Sequence, residues 1–366
     1  MTTAQLEHPK IQTSAETMQA LVFHGAGKPS WESHRKPAID KPGDAIVRIT
    51  TSTICGTDLH ILRGDVPAVT EGRILGHEGV GIIEEVGPSV TNFHKGDRVL
   101  ISCITSCGKC DRCRMQMYSH CRDGGWILGN LIDGTQAEFV RIPHADTSLY
   151  PLPAGADEED AVMLSDILPT GFECGVLNGC VKPGDTVAIV GVGPVGLAAL
   201  MTADLYSPAR IICIDLDDNR LKTAQQLGAT HLVNSLDGKA VEHVMELTGG
   251  EGVNVAIEAV GIPATFDICQ GIIGAGGHIA NIGVHGQPVV LHIEKLWDRN
   301  ITLTTRLVDT AATPMLMKAV ASGRLTPGTL VTHRFAMDKI LEAYDTFGHA
   351  AQHNALKVVL KAEESR

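Results

Sequence analysis

Four cysteines, Cys107, Cys110, Cys113 and Cys121, are separated by gaps of two, two and seven residues, so their sulfurs can converge on one tetrahedral metal within a single loop. Four thiolates in one lobe suit zinc in a closed, structural site. Unrelated buried thiols or two disulfides fit such tight clustering poorly, and no secretory signal accompanies it. Further chemistry flanks the lobe. Upstream lie Cys55-Gly-Thr57-Asp58-Leu-His60 and Gly76-His77-Glu78, and downstream Gly191-Val-Gly193-Pro194-Val195-Gly196 follows an apolar run. Two metal-ligand sets and a dinucleotide loop together point to hydride transfer.

The glycine pattern alone is a weak signal in a chain with 39 glycines. Its context strengthens it, because it follows the strand-like Thr186 to Val190 and opens a helix at Pro194. Backbone amides at such a turn face a pyrophosphate. Asp215 stands 19 residues beyond Gly196 at the end of the next strand, where a carboxylate accepts the adenosine ribose hydroxyls and repels a 2′-phosphate. That favours NAD over NADP. Asp215 could instead cap a helix, although Asp217, Asp218 and Asn219 are better placed to do so. Arg220 completes the expected cofactor set.

Cys55 and His77 taken singly read as packing residues, but together they supply two donors of a catalytic zinc. Such a site takes three protein ligands and keeps a fourth position open. The third donor is either Asp166, in Leu164-Ser-Asp-Ile-Leu-Pro-Thr-Gly171, or Cys174.

From residue 18 to 360, these motifs occur in the order found in zinc-dependent medium-chain alcohol dehydrogenases, and the chain resembles that family. It is similar in part to the bacterial secondary alcohol dehydrogenase branch, whose aspartate before Thr-Gly falls on Asp166. The four-cysteine lobe and Asp215 depart from that branch. The resemblance implies a catalytic zinc on Cys55, His77 and Asp166, with Glu78 able to visit the metal and Asp58 orienting His77. It implies a proton path from Thr57 through the cofactor ribose to His60. Trp126, in Gly125-Trp-Ile-Leu-Gly129, matches a substrate-contacting tryptophan, and Cys103 and Ile104 are expected beside it. The implied reaction is reversible hydride transfer between an alcohol and NAD, with two zinc ions per chain and aldehydes or ketones as products. The implied assembly is a homotetramer, with a dimer as the alternative. Formaldehyde and threonine dehydrogenases share some of these motifs. A non-catalytic cofactor-binding relative is the competing class, but Cys55, His77 and Asp166 are all retained.

These residues must be positioned by two domains, since 366 residues exceed the roughly 150 of an ordinary one. Up to about residue 165 short β-branched runs alternate with Gly, Pro and Asp turns. From Thr186 the rhythm becomes strand, loop and helix: strands at 186–190, 210–214, 231–233, 253–259, 278–283 and 301–307, with helices at 194–206 and 219–227. This predicts an α/β chain: a Rossmann doubly wound parallel sheet over 168–310, and a β-rich domain, GroES-like by the resemblance, from 18–167 and 311–366. Lys357 to Leu360 is expected to return to the first domain as a strand. Residues 1–17 are polar and read as a disordered extension.

A net charge of −12 with dispersed Lys and Arg excludes a nucleic-acid footprint or polybasic membrane patch, leaving small molecules as partners. Ten cysteines without a secretory signal imply a reducing cytoplasm.

Overall fold

The computed structural model describes residues 16–362. Thr186–Val190 is the centre of a six-stranded sheet, with Arg210–Asp215 and His231–Asn234 on one side and Val253–Glu258, Ile273–Asn281 and Thr302–Thr305 on the other. Every pairing is parallel. Helices cover both faces, so the central strand is apolar after Thr186, with Val187, Ala188, Ile189 and Val190 all buried. The strand order reverses beside Thr186–Val190, which opens a crevice at the C-terminal ends of the strands.

Helix Pro194–Ala203 leaves this crevice and is buried from Gly196 to Ala203. It packs on the helical segment 167–177, so it shows no polar face. Its last turn tightens into a 3-10 turn at Asp204–Tyr206, where a continuous helix was expected. Strand Ile273–Asn281 begins before the expected His278. Its opening residues, Ile-Gly-Ala-Gly-Gly, read as a loop, but Ile273 pairs with Val253 and a bulge then brings His278 opposite Val255.

The β-rich part holds a three-stranded sheet of Pro29–Arg35, Thr17–Phe23 and Arg73–Ile74. A larger sheet runs in the order Val331–Ala336, Lys357–Lys361, Ala45–Thr53, Gly79–Val86, Arg98–Ile101 and Leu149–Pro151, with Phe139–Ile142 also paired to Ala45–Thr53. The expected return of the C-terminal strand is seen, Val359 lying opposite Thr53.

The expected extension 1–17 needs correction at its end. Thr17 pairs with Arg35, and the Glu16 carbonyl accepts from the Lys36 N–H; residues 1–15 lie outside the described residues. Thr17 is polar and exposed, pointing outward at the start of a strand whose Met18, Ala20, Leu21, Val22 and Phe23 are buried. Among the described residues, no helix is long and apolar enough to cross a membrane.

Candidate active site

Cys55 is the N-cap of helix Gly56–Arg63, and the Asp58 carboxylate accepts the Cys55 N–H at 2.9 Å, so the helix start fixes the thiol. His77 lies in the turn that leads into strand Gly79–Val86. Asp166 precedes the helical turn Ile167–Thr170 at the junction of the two domains. The fold brings all three together. Asp166 Oδ2 lies 3.3 Å from His77 Nε2 and 3.7 Å from Cys55 Sγ. A tetrahedral zinc with bonds of about 2.0–2.3 Å holds its ligand atoms about 3.3–3.8 Å apart, so this sulfur, nitrogen and oxygen set fits the metal. Cys174 does not join it. Its thiol is buried in an apolar cluster with Cys103, Ile104 and Val308, and burial pushes its pKa up.

Electrostatics couple the three donors. Burial disfavours charge on His77, but hydrogen bonds to Asp166 and Cys55 outweigh it and hold the imidazole pKa well above its ordinary value. Burial likewise opposes charge on Asp166, and the His77 contact overcomes it, bringing the carboxyl down to about 2. The other oxygen of Asp166 accepts from Thr170 Oγ1 at 2.7 Å and from the Cys103 thiol at 3.6 Å, which aims Oδ2 at the centre.

Asp58 Oδ1 is buried, lacks a hydrogen-bond partner and lies 3.8 Å from His77 Nδ1, facing the imidazole beyond hydrogen-bond distance. Its other oxygen also accepts from Gln136 Nε2 at 3.1 Å, and Gln136 in turn accepts from the Tyr344 hydroxyl at 2.7 Å. Glu78 lies beside the centre, with donor atoms of Cys55, His77 and Glu78 all within 4.8 Å of one another. One carboxylate oxygen, Oε1, is buried without a partner. The other accepts from Lys357 Nζ at 2.6 Å and from Thr53 Oγ1. Lys357 is 1% exposed, and burial opposes its charge while the Glu78 carboxylate more than restores it, raising its pKa. The reading of motifs missed Lys357. The available signal was a lysine opening the apolar run Lys-Val-Val-Leu.

Thr57 and His60 share helix Gly56–Arg63, both half-buried and nearly one turn apart. His60 Nδ1 lies 3.0 Å from Asp65 Oδ2, a partner the motif did not include.

The lobe gathers as its spacing predicts: the Cys107, Cys110, Cys113 and Cys121 sulfurs lie within 4.8 Å of one another. Cys110 and Cys113 sulfurs are 3.5 Å apart and those of Cys107 and Cys113 4.0 Å, close to the tetrahedral edge of about 3.8 Å for zinc–thiolate bonds. Backbone N–H groups of Arg122 and Cys113 draw the Cys110 thiol down to about 6.

In the crevice of the parallel sheet Gly191 has φ +91°, and a side chain there would strike Val260. A Cβ on Gly196 would collide with the Gly191 carbonyl, so helix and loop pack closely. A Cβ on Gly193 would meet nothing nearer than Arg220 Nη1 at 3.9 Å, leaving open space in front of the helix that begins at Pro194 and Val195. This cradle fits a pyrophosphate. The Asp215 oxygens accept from the N–H groups of Val192 at 2.8 Å and Asp217 at 3.0 Å, which fixes the carboxylate at the strand end. Asp217, not Asp215, caps the next helix.

Trp126, Cys103 and Ile104 fall in one apolar cluster beside the metal donors, and the Trp126 ring meets His77 edge-on with centroids 6.4 Å apart. Tyr118 and Val308 join that cluster. Neither was anticipated: Val308 is far in sequence from the motifs it packs against, and Tyr118, though inside the four-cysteine lobe, is no metal donor. A groove of about 640 Å³ bordered by Arg35, Lys36 and Lys95 lies elsewhere and shares no residue with the site.

Comparison with known proteins agrees with this geometry. Residues 41–154 match the alcohol dehydrogenase GroES-like domain, and residues 194–322 match the zinc-binding dehydrogenase family. An alcohol dehydrogenase of Cupriavidus necator is 38% identical over 94% of this chain and 98% of its own. The NADP-dependent isopropanol dehydrogenase of Thermoanaerobacter brockii is 34% identical over 89% of this chain and 95% of its own. Zinc dependent alcohol dehydrogenase 2 of Streptococcus pneumonia, solved in its apo form, is 56% identical, covering 95% of this chain and 99% of that one with a TM-score of 0.92.

The buried Glu78–Lys357 pair makes a stability prediction. Replacing Lys357 with Met leaves the Glu78 carboxylate buried and uncompensated and is expected to cost about 3–5 kcal/mol in urea unfolding. The double variant Lys357→Met with Glu78→Gln is expected to recover most of that loss.

Proposed function

Because this chain belongs to the zinc-dependent medium-chain alcohol dehydrogenase family, we propose that it oxidises alcohols, primary or secondary, by hydride transfer to NAD, reversibly with aldehydes or ketones. The convergence of Cys55, His77 and Asp166 at the domain junction, with Asp166 Oδ2 3.3 Å from His77 and 3.7 Å from Cys55, carries this reading. A zinc ion held there supplies a Lewis acid that lowers the pKa of a bound hydroxyl, and NAD supplies the hydride acceptor. The chain's own groups do the rest. Asp58 keeps His77 oriented. Trp126, Cys103 and Ile104 pack one wall that excludes water and fits the alcohol's carbon chain. Thr57, the cofactor ribose and then His60 carry the released proton toward solvent, with Asp65 beside His60 Nδ1. Gly191, Gly193, Pro194, Val195 and Gly196 receive the pyrophosphate, with Arg220 beside the loop, and Asp215 takes the adenosine ribose. Cys107, Cys110, Cys113 and Cys121 hold a second zinc. Glu78 can reach the catalytic metal through its unpartnered oxygen.

The assembly proposed is a homotetramer, with a dimer as the alternative. What supports association is the outer strand Thr302–Thr305, paired on one side only, with Leu303 exposed on it and Val290, Ile293 and Trp297 exposed in the preceding segment. Trp297→Glu is expected to lower the assembly mass measured by light scattering.

Elemental analysis is expected to find two zinc ions per chain, falling to one in Asp166→Ala, which keeps the lobe metal and loses turnover. Cys174→Ala is expected to keep both metal and activity, whereas the opposite pattern for these two variants would reject the ligand set. Trp126→Ala is expected to keep both zinc ions and change which alcohols are accepted.

NAD is expected to exceed NADP in kcat/KM by at least about tenfold, roughly 1.4 kcal/mol, since Asp215 repels a 2′-phosphate. Asp215→Gly should narrow that gap, and equal use of both cofactors by the unaltered protein would contradict the assignment.

A further inference from the structure

The lobe stands apart from the catalytic donors, yet its last turn reaches the segment that crosses back from the parallel sheet to the β-rich part. Ser119, two residues before Cys121, donates both its N–H and its hydroxyl to Asp309 Oδ1, at 2.9 and 2.6 Å. Arg306 holds the other oxygen at 2.8 Å. Asp309 and Ser119 are both buried, so this is an interior strut rather than a screened surface contact. Glu173, on the helix below, fixes the crossover from the other side by accepting the N–H groups of Asp309 at 2.9 Å and Ala312 at 2.7 Å.

The neighbours of this strut line the cleft. Val308 precedes Asp309 and Tyr118 precedes Ser119, and both pack into the cluster that holds Cys103, Ile104 and Trp126. Thr310, held at φ +57°, exchanges a 2.9 Å hydrogen bond with the Ser102 hydroxyl, which in turn accepts the Ile104 N–H at 3.2 Å. The turn that presents Cys103 and Ile104 is therefore pinned by the same crossover. Three strips of the wall, from the lobe, the crossover and the 102–104 turn, depend on residues 308–310.

We propose that Asp309 is a specificity-positioning residue: by tying the four-cysteine lobe to the crossover it fixes Val308 and Tyr118 in the pocket wall and so sets which alcohols are accepted. The specificity half of this rests on the alcohol dehydrogenase reading, while the strut itself does not. It gives the lobe a role in substrate selection as well as in holding the fold, because loss of its metal would release Ser119 and with it the wall.

The test compares Asp309→Ala and Ser119→Ala with the unaltered protein, using ethanol and cyclohexanol as substrates. In Asp309→Ala the ratio of kcat/KM for the two alcohols is expected to shift by about fivefold or more, with zinc content unchanged. Ser119→Ala keeps the backbone hydrogen bond and is expected to shift the ratio less, in the same direction. A readout independent of turnover is alkylation of Cys174 in the native protein, followed by peptide mass spectrometry. Cys174 packs beneath this wall, and its labelling rate is expected to rise by about tenfold in Asp309→Ala. An alcohol ratio within about twofold of the unaltered protein, with Cys174 equally protected, overturns the proposal; if Asp309→Ala does not fold, an unchanged ratio and unchanged labelling in Ser119→Ala overturn it. Absence of alcohol turnover in the unaltered protein, with Cys174 still exposed by Asp309→Ala, would remove the dehydrogenase reading and leave the strut in place.

Discussion

The two oxygens of the Asp166 carboxylate do different work, and the arrangement of the cleft follows from that division. One faces His77 and Cys55, and the other is held by Thr170 and the Cys103 thiol. An ionised carboxylate with only 14% of its side chain exposed is stabilised by the donors and the imidazole that face its two oxygens. Asp166 therefore fixes its neighbours as firmly as they fix it. It also sits where the chain leaves the β-rich part for the parallel sheet, so the chemistry and the junction of the two sheets share one constraint.

Around it the protein repeats the same solution. Asp58 is satisfied by Cys55 and Gln136 on one oxygen and turned toward His77 with the other, and Glu78 is satisfied by Lys357 and Thr53 on one oxygen and bare on the other. Bare buried oxygens are costly in a structural network and useful beside a cation, which is why their placement around one point carries chemical information. Lys357 supplies the cation for Glu78, and it arrives on the strand Lys357–Lys361, more than 270 residues from Glu78 in sequence.

Close backbone packing sets the positions of the motifs. Gly76, at φ +93°, presents His77, and a Cβ on Gly134 would collide with the Gly76 carbonyl, so these two glycines allow the His77 turn and the segment after Trp126 to touch. The same requirement recurs at Gly191 and Gly196 in the cofactor crevice. Both sites thus rest on backbone approaching backbone, where any side chain would force the elements apart.

The sequence by itself determined whatever depends on short spacing or on periodicity. The lobe is legible because all four cysteines fall within one loop, the crevice because Gly191, Gly193 and Gly196 sit between an apolar strand and a helix, and the parallel sheet because strand-like and helical runs alternate from Thr186 onward. Resemblance pointed to Asp166, but local pattern left Asp166 and Cys174 open. The tertiary structure separated them by directing Asp166 at His77 and sealing Cys174 among apolar side chains. It alone decided the partnership of Glu78 with Lys357, of His60 with Asp65 and of Ser119 with Asp309, and the early start of strand Ile273–Asn281 through a glycine run. The physical reason is that a buried charge or a bulged register is satisfied by whatever group the fold brings within about 3 Å, and distance along the chain carries no trace of that.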